Sequence, residues 1–221
     1  MDRKAIKQEA KTKIKGNLWT IWKAILLVGL ISGGVSAILS AIFPSPVTSD
    51  MLQVYMETGK MPEFSSASQL VSTLANILLM PLTIGVVAYI LKFSRGEKPE
   101  IKDIFGFYKN FLPIFVVTLL VGIFVGAGMI LLVIPGIIVA LMLSMCYYLL
   151  ADGRTDMWQI IKDSAAMMKG HKWEYFVFGL SFIGWILLCG ITLGIAAIYV
   201  IPYMSTAQCI WYDRLKALNN K

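Results

Sequence analysis

Charge is unevenly distributed along this chain of 221 residues. Four stretches, 24–49, 64–91, 111–151 and 175–212, contain no Asp, Glu, Lys or Arg, and the charged residues fall between them. A helix crosses the hydrocarbon layer of a membrane in about 20 residues. The first two stretches therefore hold one span each, and the last two are long enough for two each. The pattern predicts an all-α, polytopic membrane protein with six transmembrane helices arranged as three hairpins.

A basic segment precedes each hairpin. In the third, Trp158, Ile161, Ala165 and Met168 recur at steps of three or four while Lys162, Asp163 and Lys169 fall between them. That spacing predicts an amphipathic helix lying in the headgroup plane, and each hairpin is expected to have one. Trp19, Phe111 and Trp173 open the following spans, where an interfacial ring belongs.

The segments also resemble one another. Ile101-Lys102-Asp103 with Lys109 returns as Ile161-Lys162-Asp163 with Lys169. With one residue of slippage Phe115 then matches Phe176, Ser144 matches Ser205 and Asp152 matches Asp213. Lys15-Gly16-Asn17-Leu18-Trp19 parallels Lys169-Gly170-His171-Lys172-Trp173, and Gly29 and Gly33 fall at the places of Gly122 and Gly126. The reading is a single membrane domain, 1–221, of three repeat-like units at about 1–93, 99–152 and 155–213.

Composition agrees with the spans: 57% of residues are hydrophobic and 15% charged, with a mean hydropathy of +0.72, whereas a soluble domain carries about a quarter charged residues. The net charge of +7 is one-sided. All but Lys60 of the 20 basic residues fall in segments on one side of the six-span plan, and Lys60 shares its loop with Asp50, Glu57 and Glu63. The positive-inside rule then puts both termini in the cytoplasm. The run after Lys23 has full spanning length and is read as a retained first helix.

Basic clusters beside spans point to anionic lipid headgroups rather than nucleic acid. Lys15, Lys109, Lys162, Lys169, His171 and Lys172 are the candidate headgroup residues.

Catalytic chemistry has little to stand on. His171 is the one histidine, and no Gly-x-Ser-x-Gly, His-Glu-x-x-His, phosphate-loop or dinucleotide pattern occurs. Cys146, Cys189 and Cys209 sit in apolar runs without Cys-x-x-Cys spacing, so they read as packing residues. No enzyme activity, cofactor or metal is expected.

Ionisable residues, which mark ion paths in membranes, are missing from the predicted spans. Asn76, Ser144, Tyr147, Tyr203 and Gln208 are the candidate intramembrane polar positions. Their ordinary role is interhelical hydrogen bonding worth about 1 kcal/mol apiece; the alternative is a substrate path.

Gly29-x3-Gly33 and Gly122-x3-Gly126 suit close helix approach. Pro81, Pro135 and Pro202 lie in or beside second spans, where broken helices line some binding sites. Ile134-Pro135-Gly136 more simply marks a turn. The loop 44–68 reads as a connection, with a short interfacial helix around Met51, Leu52, Val54, Tyr55 and Met56.

Several local patterns resemble one family. They are Ile134-Pro135-Gly136-Ile137-Ile138, Tyr147-Tyr148-Leu149-Leu150-Ala151-Asp152, Ser164 with Met168-Lys169-Gly170-His171-Lys172, and Pro202-Tyr203. Together they look like the bacterial integral membrane family catalogued as domain of unknown function 975, over nearly the whole chain. More distantly, the chain is similar to the membrane domain of some glycerophosphodiester phosphodiesterases. The resemblance implies a six-span plasma-membrane protein and carries over no catalytic residue.

The expected function is a non-enzymatic membrane scaffold that engages lipid, and a protein partner or second copy. The alternative is a carrier or exporter of a small amphipathic or lipid-like solute.

Overall fold

A computed structural model describes residues 1–42, 55–57, 59 and 66–219 of the protein. Every regular element among the described residues is helical. In chain order they are α1 (Arg3–Ile14), α2 (Leu18–Ile42), α3 (Ser66–Ser94), α4 (Ile101–Phe105), a 3₁₀ turn (Gly106–Asn110), α5 (Phe111–Leu131), α6 (Val133–Leu143), α7 (Cys146–Ala151), α8 (Met157–Met167), α9 (Lys172–Leu180), α10 (Ile183–Ile191) and α11 (Ala197–Asn219). A single helical turn also covers residues 55–57. Apart from that turn, the helix expected around Met51–Met56 lies outside the described residues.

These residues form two compact units: Met1–Ile25 with Pro81–Lys221, and Leu26–Met80. The smaller unit holds residues 26–42 of α2 and 66–80 of α3, and Leu30, Ile38, Leu70, Leu74 and Leu78 on them are all exposed. The larger unit contains the core and everything that follows.

Five helical segments are long and apolar enough to cross a membrane: Leu18–Ile42, Gln69–Ser94, Ile101–Leu131, Val133–Ala151 and Lys172–Ile191. The sixth expected span, α11, falls short of them in hydropathy because it carries Tyr199, Tyr203, Gln208, Trp211 and Tyr212. It has the length, 23 residues or about 34 Å. What it lacks is a lipid-like surface, since Tyr203, Thr206, Ala207, Ile210, Trp211 and Leu215 on it are buried. A helix enclosed by other helices can use aromatic and hydroxyl side chains where an exposed one needs Leu and Ile.

Caps and glycine stops set the helix limits. Asp2 caps α1, its carboxylate accepting from the Lys4 and Ala5 amides at 2.9 and 3.1 Å, and Asp156 caps α8 by accepting from the Gln159 amide at 3.0 Å. A capping box of Glu100 and Asp103 opens α4. Ile101-Lys102-Asp103 therefore forms the first turn of its helix, whereas Ile161-Lys162-Asp163 lies in the middle of α8.

Two stops are alike in detail. Gly96 after α3 and Gly153 after α7 both have φ of +84°. In each case the glycine amide bonds back three residues, Gly96 to Phe93 and Gly153 to Leu150, and the next amide bonds back five, Glu97 to Lys92 and Arg154 to Leu149. That is the Schellman arrangement.

The segments before the hairpins press one face on the protein itself. Ile6, Ala10 and Ile14 of α1 are fully buried, and α1 packs along α11. In α8 the buried residues are Ile160, Ile161, Ser164 and Met167, followed by Met168, while Trp158 is exposed and Ala165 half-buried. The observed face is thus offset from the one the apolar spacing indicates. Ser164 can join it because its hydroxyl donates to the Met142 carbonyl at 2.8 Å.

Burial in the larger unit is concentrated where these helices meet the last turns of α3, α7 and α11, at Tyr89, Leu91, Leu149, Leu150, Trp211 and Tyr212. Away from that charged end the hairpins are bare: Ile130 and Leu193, beside the two turns, are 88% and 94% exposed.

Close helix approach occurs at other glycines than the spacing suggests. Gly122 and Gly126 have open space where a side chain would lie. At Gly85 a Cβ would come within 2.3 Å of the Ile104 carbonyl oxygen, and at Gly128 within 2.9 Å of the Gly136 Cα. Gly85→Ala is therefore expected to destabilise the protein by about 1–3 kcal/mol, the usual range for overpacking, and Gly122→Ala to be neutral. Thermal unfolding in detergent checks both, and an unchanged midpoint for Gly85→Ala would contradict the contact.

Candidate functional site

The identical stops of α3 and α7 place Arg95 and Asp152 at matching positions, each directly before its glycine. Asp213, the residue that pairs with Asp152 in the repeat pattern, lies on α11. The fold brings the three together. Arg95 donates from Nη1 to Asp152 at 2.8 Å, and from Nη2 and Nε to Asp213 at 2.6 and 3.1 Å. Lys216 pairs with the second oxygen of Asp152, and the Tyr212 hydroxyl donates to that same oxygen at 2.9 Å.

Two neighbouring carboxylates would repel each other, and Asp152, at the end of α7, also meets the negative end of that helix's dipole. One arginine and one lysine resolve both problems. Burial alone would raise the Asp152 carboxyl, but hydrogen bonds from Arg95, Lys216 and Tyr212 outweigh it and hold the pKa below the ordinary carboxylate range. For Arg95 burial disfavours the charge, and the bonds to Asp213 and Asp152 more than compensate, raising its pKa.

Behind the ion pairs runs a chain of rings. Tyr148 stacks on Tyr212 at 5.4 Å and donates to the Gln208 side-chain oxygen at 3.2 Å. Trp211 stacks on Phe178, Phe178 meets Phe182 edge-on, and Phe182 meets Tyr203. The continuous segment α9–α10 breaks at Ser181-Phe182, and Lys7 of α1 donates to the Ser181 carbonyl at 2.9 Å.

The candidate polar positions separate accordingly. Tyr203 is buried in the ring chain, and Gln208, half-buried, accepts from Tyr148. Ser144 turns its hydroxyl back on the Leu141 carbonyl at 2.8 Å, and Tyr147 is half-buried. Asn76 is exposed and belongs to the smaller unit.

Of the headgroup candidates, Lys15, Lys109, Lys162 and Lys169 are exposed, and none of them forms an ion pair among the described residues. Lys162 lies over the Trp158 ring. Lys172 is half-exposed. His171 differs in that its Nδ1 lies 2.9 Å from Glu174.

Among the described residues, hollows with charged residues in their lining also open at the charged end. One of about 370 Å³ is lined by Lys13, Asn17, Thr20, Phe93, Glu97 and Lys98. A second of about 180 Å³ lies beside Arg154, Asp163 and Lys216. A third, of about 330 Å³, lies beside Asp2 and Arg214. Cys146 and Cys209 are buried and Cys189 is partly so. Among the described residues no group of His, Cys, Asp or Glu has the arrangement of a metal site.

Fold and site together define an all-helical protein with several membrane-length helices, tied at one end by an ion-pair cluster. The chain belongs to the family described as "Protein of unknown function (DUF975)", whose model matches residues 1–132 and 124–219. Neither the curated proteins nor the solved structures contain a match to it.

The cluster makes stability sensitive to acid. Since the Asp152 pKa is lowered by folding, its contribution is complete above the unfolded carboxylate value of about 3.9 and is lost as pH falls through the lower folded value. Thermal unfolding in detergent below about pH 4 should steepen for the native protein and flatten for Asp152→Asn. Arg95→Gln should cost about 2 kcal/mol at pH 7, less than a fully buried pair because Arg95 is partly open to solvent. An Asp152→Asn profile parallel to the native one would refute the assignment.

Proposed function

We propose that this protein is a non-enzymatic scaffold of a bacterial plasma membrane, with six spans in three repeat-like hairpins and both termini cytoplasmic. In this reading the charged end lies at the cytoplasmic face and engages anionic lipid headgroups. A protein partner or a second copy would use the same face.

One observation carries the reading. The ionic groups of the cluster are taken up by one another, Arg95 with Asp152 and Asp213, and Lys216 with Asp152. The exposed Lys15, Lys109, Lys162 and Lys169 have no acidic partner among the described residues. Ion pairs that tie helix ends suit a fixed assembly, and unpaired cations beside apolar helices suit anionic headgroups, each worth about 1 kcal/mol near a charged membrane surface.

Two features support the three-unit plan. Gly16 and Gly170, before the first and third hairpins, have φ of +80° and +82°, and the tryptophans after them, Trp19 and Trp173, are each 72% exposed.

The carrier reading would need a polar path through the spans, and the candidate polar residues do not supply one. The test uses the full chain in vesicles of phosphatidylcholine with one-fifth phosphatidylglycerol. Fluorescent phospholipid should cross no faster than in empty vesicles. In detergent, Lys109→Gln/Lys162→Gln/Lys169→Gln should lose several-fold in preference for phosphatidylglycerol over phosphatidylcholine, as counted by native mass spectrometry. Rapid lipid movement would favour the carrier, and an unaltered preference would remove the headgroup role of those lysines.

A further inference from the structure

The two flanks of α1 are treated differently by the rest of the protein. On one, Glu9 pairs with Arg214 at 2.7 Å and with Lys13 at 3.5 Å, and Lys13 also donates to the Ser94 carbonyl at 2.6 Å. That flank is satisfied. On the other, Arg3, Lys7 and Lys11 recur at every fourth residue of α1, beside the buried row Ile6, Ala10 and Ile14, and Lys15 follows as the extended residue that ends the helix. None of the four has a carboxylate partner among the described residues. Like charges four apart on a helix repel, and the three helical cations have no acidic residue between them on that flank.

The surroundings of this row define what could neutralise it. The Lys7 ammonium sits 4.4 Å from the Phe182 ring centroid, and Lys11 lies 5.8 and 5.7 Å from those of Trp185 and Tyr203. Beside these rings, Ile183, Ile186 and Leu187 of α10 are exposed, within a segment apolar enough to cross a membrane. The row thus joins a line of cations to an aromatic rim and then to a bare apolar helix. A phosphate-bearing headgroup matches the first, and its acyl chains match the last.

We infer that Lys7 and Lys11, with Arg3 and Lys15 extending the row, form a lateral site for one anionic phospholipid, whose chains lie along α10. This rests on the headgroup reading above and narrows it to a defined place. The bound phosphate would relieve the repulsion among the lysines and fix α1 over the break at Ser181-Phe182, where Lys7 already holds the carbonyl. Burial and then the neighbouring Lys11 and Arg3 lower the Lys7 pKa, a strain that an anion on the row would offset.

The test is titration of detergent-solubilised full-length protein with phosphatidylglycerol, followed by native mass spectrometry and thermal unfolding. The native chain should take up one tightly held molecule and gain stability. Lys7→Gln/Lys11→Gln should bind it about thirtyfold more weakly, as expected for two headgroup-level lysines. Lys11→Gln alone makes the fold control, since Lys11 is exposed and donates no hydrogen bond; it should unfold at the native temperature without lipid and still bind several-fold more weakly.

Lys162→Gln/Lys169→Gln should keep the tight molecule. Native affinity in both α1 variants would overturn the site; if Lys162→Gln/Lys169→Gln then lost its preference for phosphatidylglycerol, the broader headgroup reading would stand without it. Loss of the tight molecule in Lys162→Gln/Lys169→Gln and not in the α1 variants would place the lipid elsewhere and also overturn the site. Competition by millimolar inorganic phosphate at the same affinity would identify a free phosphate as the ligand and overturn the lipid.

Discussion

Arg95 stands between two carboxylates that could not otherwise share one place. Asp152 and Asp213 come from α7 and α11, and the guanidinium reaches both while its own position is fixed at the end of α3. A guanidinium suits this task because its several N–H groups lie in one plane and satisfy more than one oxygen. Without it, Asp213 would face Asp152 with Lys216 as the remaining cation bonded to the pair. With it, Tyr212 and Lys216 can add to Asp152, and the buried rings behind them can close on one another.

That constraint explains why burial is concentrated at the charged end. Helices that face lipid gain little from one another's apolar surface, because lipid tails are as apolar as leucine. A lasting association needs polar bonds or close backbone contact. Here the polar bonds lie in the Arg95 cluster, and the backbone contacts lie at Gly85 with Ile104 and at Gly128 with Gly136. The segments α1 and α8 complete the arrangement, α1 packing on α11 and α8 on α5, α6 and α7, each with its buried apolar face inward.

Helical character and the membrane-length helices were legible because uncharged runs report what a lipid-like surface requires, and that signal is local. The sixth run shows its limit. Hydropathy measures suitability for lipid, and α11 is buried by protein, so its tyrosines and Gln208 lower the score of a central helix. Glycine spacing failed for a related reason: Gly122 and Gly126 follow the small-x3-small pattern, yet proximity depends on which face turns inward, and that is set by contacts distant in sequence. The face of α8 was misjudged by one position because the Asp156 cap and the Ser164 hydroxyl bond, not apolar spacing, determine what is buried.

The charge cluster was half visible. Asp152 and Asp213 match in the repeat, but a match between two acids says nothing about the arginine that must join them. The further clue was Arg95-Gly96 against Asp152-Gly153, a residue of opposite charge before the same glycine stop. If three units descend from one plan, a position where the units meet near a common point cannot carry the same charge in all three, since identical charges would repel. Arg95, just past the first repeat-like stretch, answers the two acids with the opposite charge, and a comparison that rewards identity passes over it.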